Sequence, residues 1–209
     1  MSHIIYHPKR CVKEIGEFKI YHDNFKDNQD PYIWNKNFLH TYCHMPQMRN
    51  EVGDINFWVS ANDYPNITNL FCDCVFVIEK KHYWTNADEI DIQDPIVDNN
   101  KQTFEHHFDW ANKGSHPLKR KKRYTLIADS QKSFQPQDKE KNLIDILPFL
   151  NENGITTAKI IESMTSNYQS KPYRINNLLS QNLYDYLFET ASIKIYGYQI
   201  ENLHPLNKK

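Results

Sequence analysis

The residues best equipped for chemistry cluster between Phe104 and Arg123, where the sequence reads FEHHFDWANKGSHPLKRKKR. His107-x-Asp109 has the spacing of the first two ligands of a two-histidine, one-carboxylate iron site, with His116 as the nearest third donor. One expectation is therefore a metal-dependent enzyme, an oxygenase or hydrolase, acting on nucleotides or nucleic acid through His107, Asp109 and His116. Spacing weakens it: His116 is very close for a distal ligand, and His204 has no arginine after it to hold an oxo-acid cosubstrate. Lys119, Arg120, Lys121, Lys122 and Arg123 form a cationic run that attracts phosphate, although a solvated loop explains the same run without a ligand.

His40, Cys43, His44, Cys72 and Cys74 offer a thiolate and imidazole set that suits zinc, but the paired Cys-x-x-Cys spacing of a structural site is absent. Alternation puts Cys72 and Cys74 on one face of a strand, two apart and poorly placed to pair, so buried reduced thiols are the plainer reading. The five glycines, Gly16, Gly53, Gly114, Gly154 and Gly197, lie too far apart to build a phosphate-cradling loop, a dinucleotide fingerprint or a nucleophile elbow.

These groups have to be positioned by a chain of 209 residues, a length that suits a single domain over 1–209. A net charge of -1 argues against a generally basic nucleic-acid binder, leaving local clustering as the route to an anionic partner. The start lacks an apolar h-region, and no stretch approaches the about 18 apolar residues of a membrane span. A cytoplasmic protein with no membrane partner is expected.

Strand patterns run through EFKIYH, FLHTYCHM, DINFWVS and LFCDCVFVIEK, giving a β-rich core over about 16–130 that ends with YTLIA. In LFCDCVFVIEK alternation assigns Cys72, Cys74, Phe76 and Ile78 to one face, and Phe71, Asp73, Val75, Val77 and Glu79 to the other. An acidic excursion, Asp88 to Asp98, separates this part from the histidine and cationic stretch. A helical part spans about 155–190. TTAKIIESMTSN starts on a threonine cap, and Ile175, Leu178, Leu179, Leu183, Tyr186 and Leu187 form an apolar stripe. SIKIYGYQIE then returns as a strand over 192–201. The fold class expected is α+β.

One segment carries a family resemblance. Cys43, Pro46 and Arg49, then Val52-Gly53-Asp54, then the aromatic strand INFWVS ending at Ser60, resemble the PUA-like superfamily with its EVE, ASCH and YTH domains. The similarity is nearest to the nucleotide modification associated domains found near phage base-modification genes. FCDCVFVIEKKHYW and RYTLIADS look like that family's following strands, whereas the region before Phe38 matches no part of the pattern. The resemblance implies a small β-barrel, or strongly curved mixed sheet, with helices packed alongside. It also implies a binding module for DNA, RNA or a modified nucleotide, whose mouth accepts a flipped and modified base without covalent chemistry or a cofactor.

Such a site needs flat apolar surfaces, fixed polar groups for the base edge and cations for the flanking phosphates. Phe57, Trp58, Tyr83, Trp84, Phe108 and Trp110 are the stacking residues available, and Trp58, Trp84 and Trp110 are assigned to the pocket. Phe57 and Trp58 must point to opposite faces of their strand. Ser60 and Asn62 are assigned to the base edge, with Asp63 and Asp129 as weaker choices; a turn before Pro65 accounts equally for Asn62 and Asp63. Arg49, Lys119, Arg120, Lys121, Lys122 and Arg123 are assigned to phosphate. A protein-interaction role in phage conflict is a third expectation.

Overall fold

A computed structural model of the chain describes residues 1–7, 10–22, 39–40, 50–83, 124–164 and 171–200. The strands are β1 (Ser2–Tyr6), β2 (Cys11–Ile15), β3 (Phe18–His22), β4 (Leu39–His40), β5 (Ile55–Ser60), β6 (Phe71–Tyr83), β7 (Tyr124–Ala128), β8 (Gln135–Gln137), β9 (Tyr173–Ile175) and β10 (Ile193–Ile195). The helical segments are α1 (Leu147–Glu152), α2 (Thr157–Ile161), α3 (Asn177–Thr190) and α4 (Gly197–Ile200).

The main sheet has the order β4-β7-β6-β5-β1-β9, with β1 and β5 parallel and its other neighbours antiparallel. All six residues of β5 and all five of β1 are buried, because the sheet is covered on both faces. On one face Ile4, Phe57, Val59, Val75 and Val77 pack with Leu150, Ile160, Leu183 and Leu187 of the helical part. On the other, Ile5, Trp58, Cys74, Phe76, Ile78 and Leu126 pack with Ile20 of the β2–β3 hairpin and Ile195 of β10. Phe57 and Trp58 thus face opposite ways, as alternation requires. The class is α+β. No closed barrel is seen among the described strands: β4 and β9, two and three residues long, stand at opposite ends of the sheet.

Two expectations for β6 change together. Trp58 pairs with Cys74 but Val59 pairs with Cys72, so Asp73 is an extra residue, a β-bulge. The bulge shifts the phase of the strand. Cys72 joins Val75 and Val77 on the helix side while Cys74 stays with Phe76 and Ile78 on the hairpin side. The two thiols therefore do not share a face and cannot be co-ligands of one zinc; burial pushes both well above the ordinary thiol range.

The helical part is set by its caps. Thr156 accepts the Lys159 N–H at 3.5 Å to start α2, and Asn176 accepts the Leu179 N–H at 2.8 Å to start α3. The stripe expected from Ile175 is interrupted, because Ile175 belongs to β9 ahead of the cap and Leu178 is 74% exposed. The C-terminal strand is shorter than its pattern: β10 pairs with β8 and stops at Ile195, and Gly197 begins a helical turn. Among the described residues no helix is long and apolar enough to cross a membrane.

The hairpin joins the sheet through glutamine side chains. Gln135, fully buried, accepts the Tyr21 N–H at 3.0 Å and donates to the Tyr21 carbonyl at 2.7 Å and the Asp73 carbonyl at 2.8 Å. Gln137 donates to the Lys19 carbonyl at 2.6 Å and to Gln135 Oε1 at 3.1 Å. The two amides stand in for a missing strand and fix Tyr21 beside the bulge.

Candidate functional site

Because β1 and β5 run parallel, their C-terminal ends open at the same end of the sheet, next to the start of the antiparallel β6. The His7 N–H continues the β1 pairing by bonding to the Val59 carbonyl at 3.0 Å, which holds the chain against β5 one residue beyond β1. The β6 bulge aims Asp73 into the same region. Arg10, Ser60, Asn62 and Asp73 then form one hydrogen-bonded chain.

Ser60 Oγ donates to Asp73 Oδ1 at 2.9 Å, and His7 Nε2 lies 2.5 Å from Asp73 Oδ2. Arg10 Nη1 donates to Ser60 Oγ at 3.1 Å, and Arg10 Nη2 donates to Asn62 Oδ1 at 3.0 Å. The guanidinium carbon lies 4.8 Å from the Phe71 ring centroid and 5.5 Å from that of Tyr21, so two cation–π contacts hold it. The His7 and Asp73 side chains are 3% and 1% exposed, Arg10 is half-buried and Asn62 is exposed, so the chain runs from the interior to solvent.

This order of groups is not that of a nucleophilic serine. A base between serine and carboxylate is what activates the hydroxyl in a catalytic triad. Here the carboxylate sits between serine and histidine, the serine is 2% exposed, and an arginine already occupies its oxygen. The geometry is that of a rigid presenting group.

Of the residues assigned from sequence, Ser60 and Asn62 are brought together, bridged by Arg10. Trp58 lies in the hairpin-side core, 6% exposed, with its ring centroid 6.4 Å from that of His7, and so backs the polar chain from inside. Asp63 is exposed. Asp129 pairs with Lys132 at 3.0 Å and closes a turn; burial pushes its carboxyl up, but the Lys132 and Gln131 hydrogen bonds outweigh that and leave it below the usual range. Arg49, Trp84, Trp110, Lys119, Arg120, Lys121, Lys122 and Arg123 lie outside the described residues, as do His107, Asp109 and His116 of the metal alternative. Among the described residues no group of three or more His, Cys, Asp or Glu is arranged to hold a metal.

Arg10, His7, Asp73 and Tyr21 were not assigned from sequence. The signals were a short apolar run, Ile4-Ile5-Tyr6, leading into His7-Pro8-Lys9-Arg10, and a lone carboxylate amid the apolar residues of β6.

A second buried polar cluster lies at the opposite end of β1. His3 Nδ1 is 3.2 Å from Asn50 Nδ2, which also donates to Asn56 Oδ1 at 3.1 Å. Burial lowers the His3 pKa, partly offset by a hydrogen bond with Asn56. The native state therefore holds this imidazole neutral, while the unfolded chain takes up a proton near 6.5. Its contribution to stability is complete above that pH and is lost as pH falls through the lower native value. Urea midpoints should drop between pH 7.5 and pH 5.5, and the drop should shrink in His3→Gln; an equal drop in the variant would assign the effect to other groups.

Comparison with protein-family models, curated proteins and solved structures returned no match to this chain.

Proposed function

We propose that the protein is a binding module for a nucleobase, free or turned out of a nucleic-acid strand, built on a PUA-like plan. The observation that carries this reading is Arg10 in cation–π contact with the Phe71 and Tyr21 rings while bonded to Ser60 and Asn62, at the end of the strand that follows Gly53-Asp54. A planar guanidinium fixed by aromatic faces suits in-plane hydrogen bonding to a heterocycle. Trp84 and Trp110 then supply stacking, and Arg49 with Lys119 to Arg123 supplies phosphate contacts, without a cofactor.

The test is a thermal-shift screen of nucleosides and nucleotides, modified ones included, followed by oligonucleotide titration at two salt concentrations. A ligand bound only to the native state at about 100 times its Kd adds about 2.7 kcal/mol of stability. Arg10→Ala should weaken binding about tenfold or more, and oligonucleotide affinity should fall with salt. If no nucleoside, nucleotide or oligonucleotide raises Tm even at low salt, the reading is wrong.

A further inference from the structure

We infer that the edge presented by Arg10 and Asn62 reads hydrogen-bond acceptors, which selects a keto purine of the guanine kind over an amino-bearing base such as adenine. The inference rests on the nucleobase reading above and sharpens it to a ligand class.

The direction of every hydrogen bond in the chain is fixed by chemistry. Ser60 Oγ donates its single hydrogen to Asp73 Oδ1, so the Ser60 oxygen is left to accept from Arg10. An arginine only donates, so the Asn62 atom facing it is the carbonyl oxygen, and the Asn62 NH2 group is turned away from Arg10. Ser60 is 2% exposed and offers nothing to solvent. What remains for a ligand is mostly donors, the Asn62 NH2 and the Arg10 N–H groups not bonded to Ser60 or Asn62, against one further lone pair on Asn62 Oδ1.

Guanine presents O6 and N7 side by side as acceptors, the edge that a guanidinium matches in two bonds. Adenine puts its amino group where O6 stands, setting hydrogen against hydrogen. A mismatch of this kind typically costs a factor of about ten or more. Inorganic phosphate also presents mainly acceptor oxygens and has to be tested as a separate ligand.

The experiment is calorimetric titration of the full chain with guanosine, inosine, 7-deazaguanosine, adenosine and inorganic phosphate, repeated on Asn62→Asp. Asn62 is exposed, and aspartate keeps an oxygen toward Arg10 while replacing the outward NH2 with an acceptor. Inosine should match guanosine, because both carry O6 and N7. 7-Deazaguanosine and adenosine should each bind about tenfold more weakly. Asn62→Asp should weaken guanosine and narrow or reverse its advantage over adenosine. Equal binding of guanosine and adenosine would overturn the acceptor-edge inference while leaving nucleobase binding standing. Phosphate binding as tightly as guanosine and displacing it would overturn the inference in favour of an anion site. Failure of every nucleoside to bind would overturn the inference, and the reading on which it rests falls with it if nucleotides and oligonucleotides fail as well.

Discussion

Asp73→Ala is expected to destabilise the fold by about 2–5 kcal/mol, because it leaves two buried polar groups, the Ser60 hydroxyl and the His7 imidazole, without this partner at about 1–3 kcal/mol each. The carboxylate is 1% exposed and holds Ser60 Oγ on one oxygen and His7 on the other. Alanine leaves a buried imidazole facing a void and a buried hydroxyl without its acceptor, and Arg10 loses the fixed oxygen it binds. For a domain whose whole stability is typically about 5–15 kcal/mol, that is a large share. Asp73→Asn keeps the shape and an oxygen for Ser60, so it should cost clearly less. Urea denaturation of the two variants checks this; a loss below about 1 kcal/mol for Asp73→Ala would mean that the pair is effectively hydrated.

Gln135→Leu is expected to cost at least about 3 kcal/mol. Leucine fills a similar volume but leaves three buried main-chain groups, the N–H and carbonyl of Tyr21 and the carbonyl of Asp73, without this partner, at about 1–3 kcal/mol each. It also removes one of the two acceptors of the Gln137 amide. Gln135→Glu retains the acceptor for the Tyr21 N–H but loses both donated bonds, and adds a buried charge. Thermal denaturation gives the loss, and amide exchange at Tyr21 locates it; an unchanged exchange rate there would show that the hairpin is held by apolar packing alone.

Local patterns made part of this architecture legible. The INFWVS alternation identified β5 and the opposite facing of Phe57 and Trp58, YTLIA marked β7, and Thr156 marked the start of α2. β1 escaped because a strand covered on both faces shows no alternation, and five residues before a proline give too short a run to weigh. The β6 bulge escaped because an inserted residue is defined by its partner strand, and its own sequence carries no mark of it. Leu178 was assigned inward because helical period alone does not say where a cap begins the helix.

The candidate site was half visible for the same reason. Ser60 and Asn62 stood out by type at the end of a strand, but Arg10 reaches Ser60 across 50 residues of chain and Gln135 reaches Tyr21 across 114. No local rule connects such positions; pairing of β1 with β5 and the glutamine bridge do. The histidine, tryptophan and lysine-rich stretch that dominated the sequence by chemistry lies outside the described residues, so the polar chain at Arg10 now carries the reading.

The unequal size of the two apolar layers has a consequence for how the molecule opens. The layer on the helix side joins strands of the main sheet to α1, α2 and α3, whereas on the other side the hairpin contributes Ile20, with Phe18 at its margin. Hairpin detachment is therefore a cheaper excursion than global unfolding, a sub-global opening that leaves the larger layer intact. Since Tyr21 lies on the hairpin and Arg10, bonded to Ser60 of β5, immediately precedes β2, each such excursion pulls on the guanidinium and its contacts together. Any ligand gripped there draws its residence time from the breathing of two short strands.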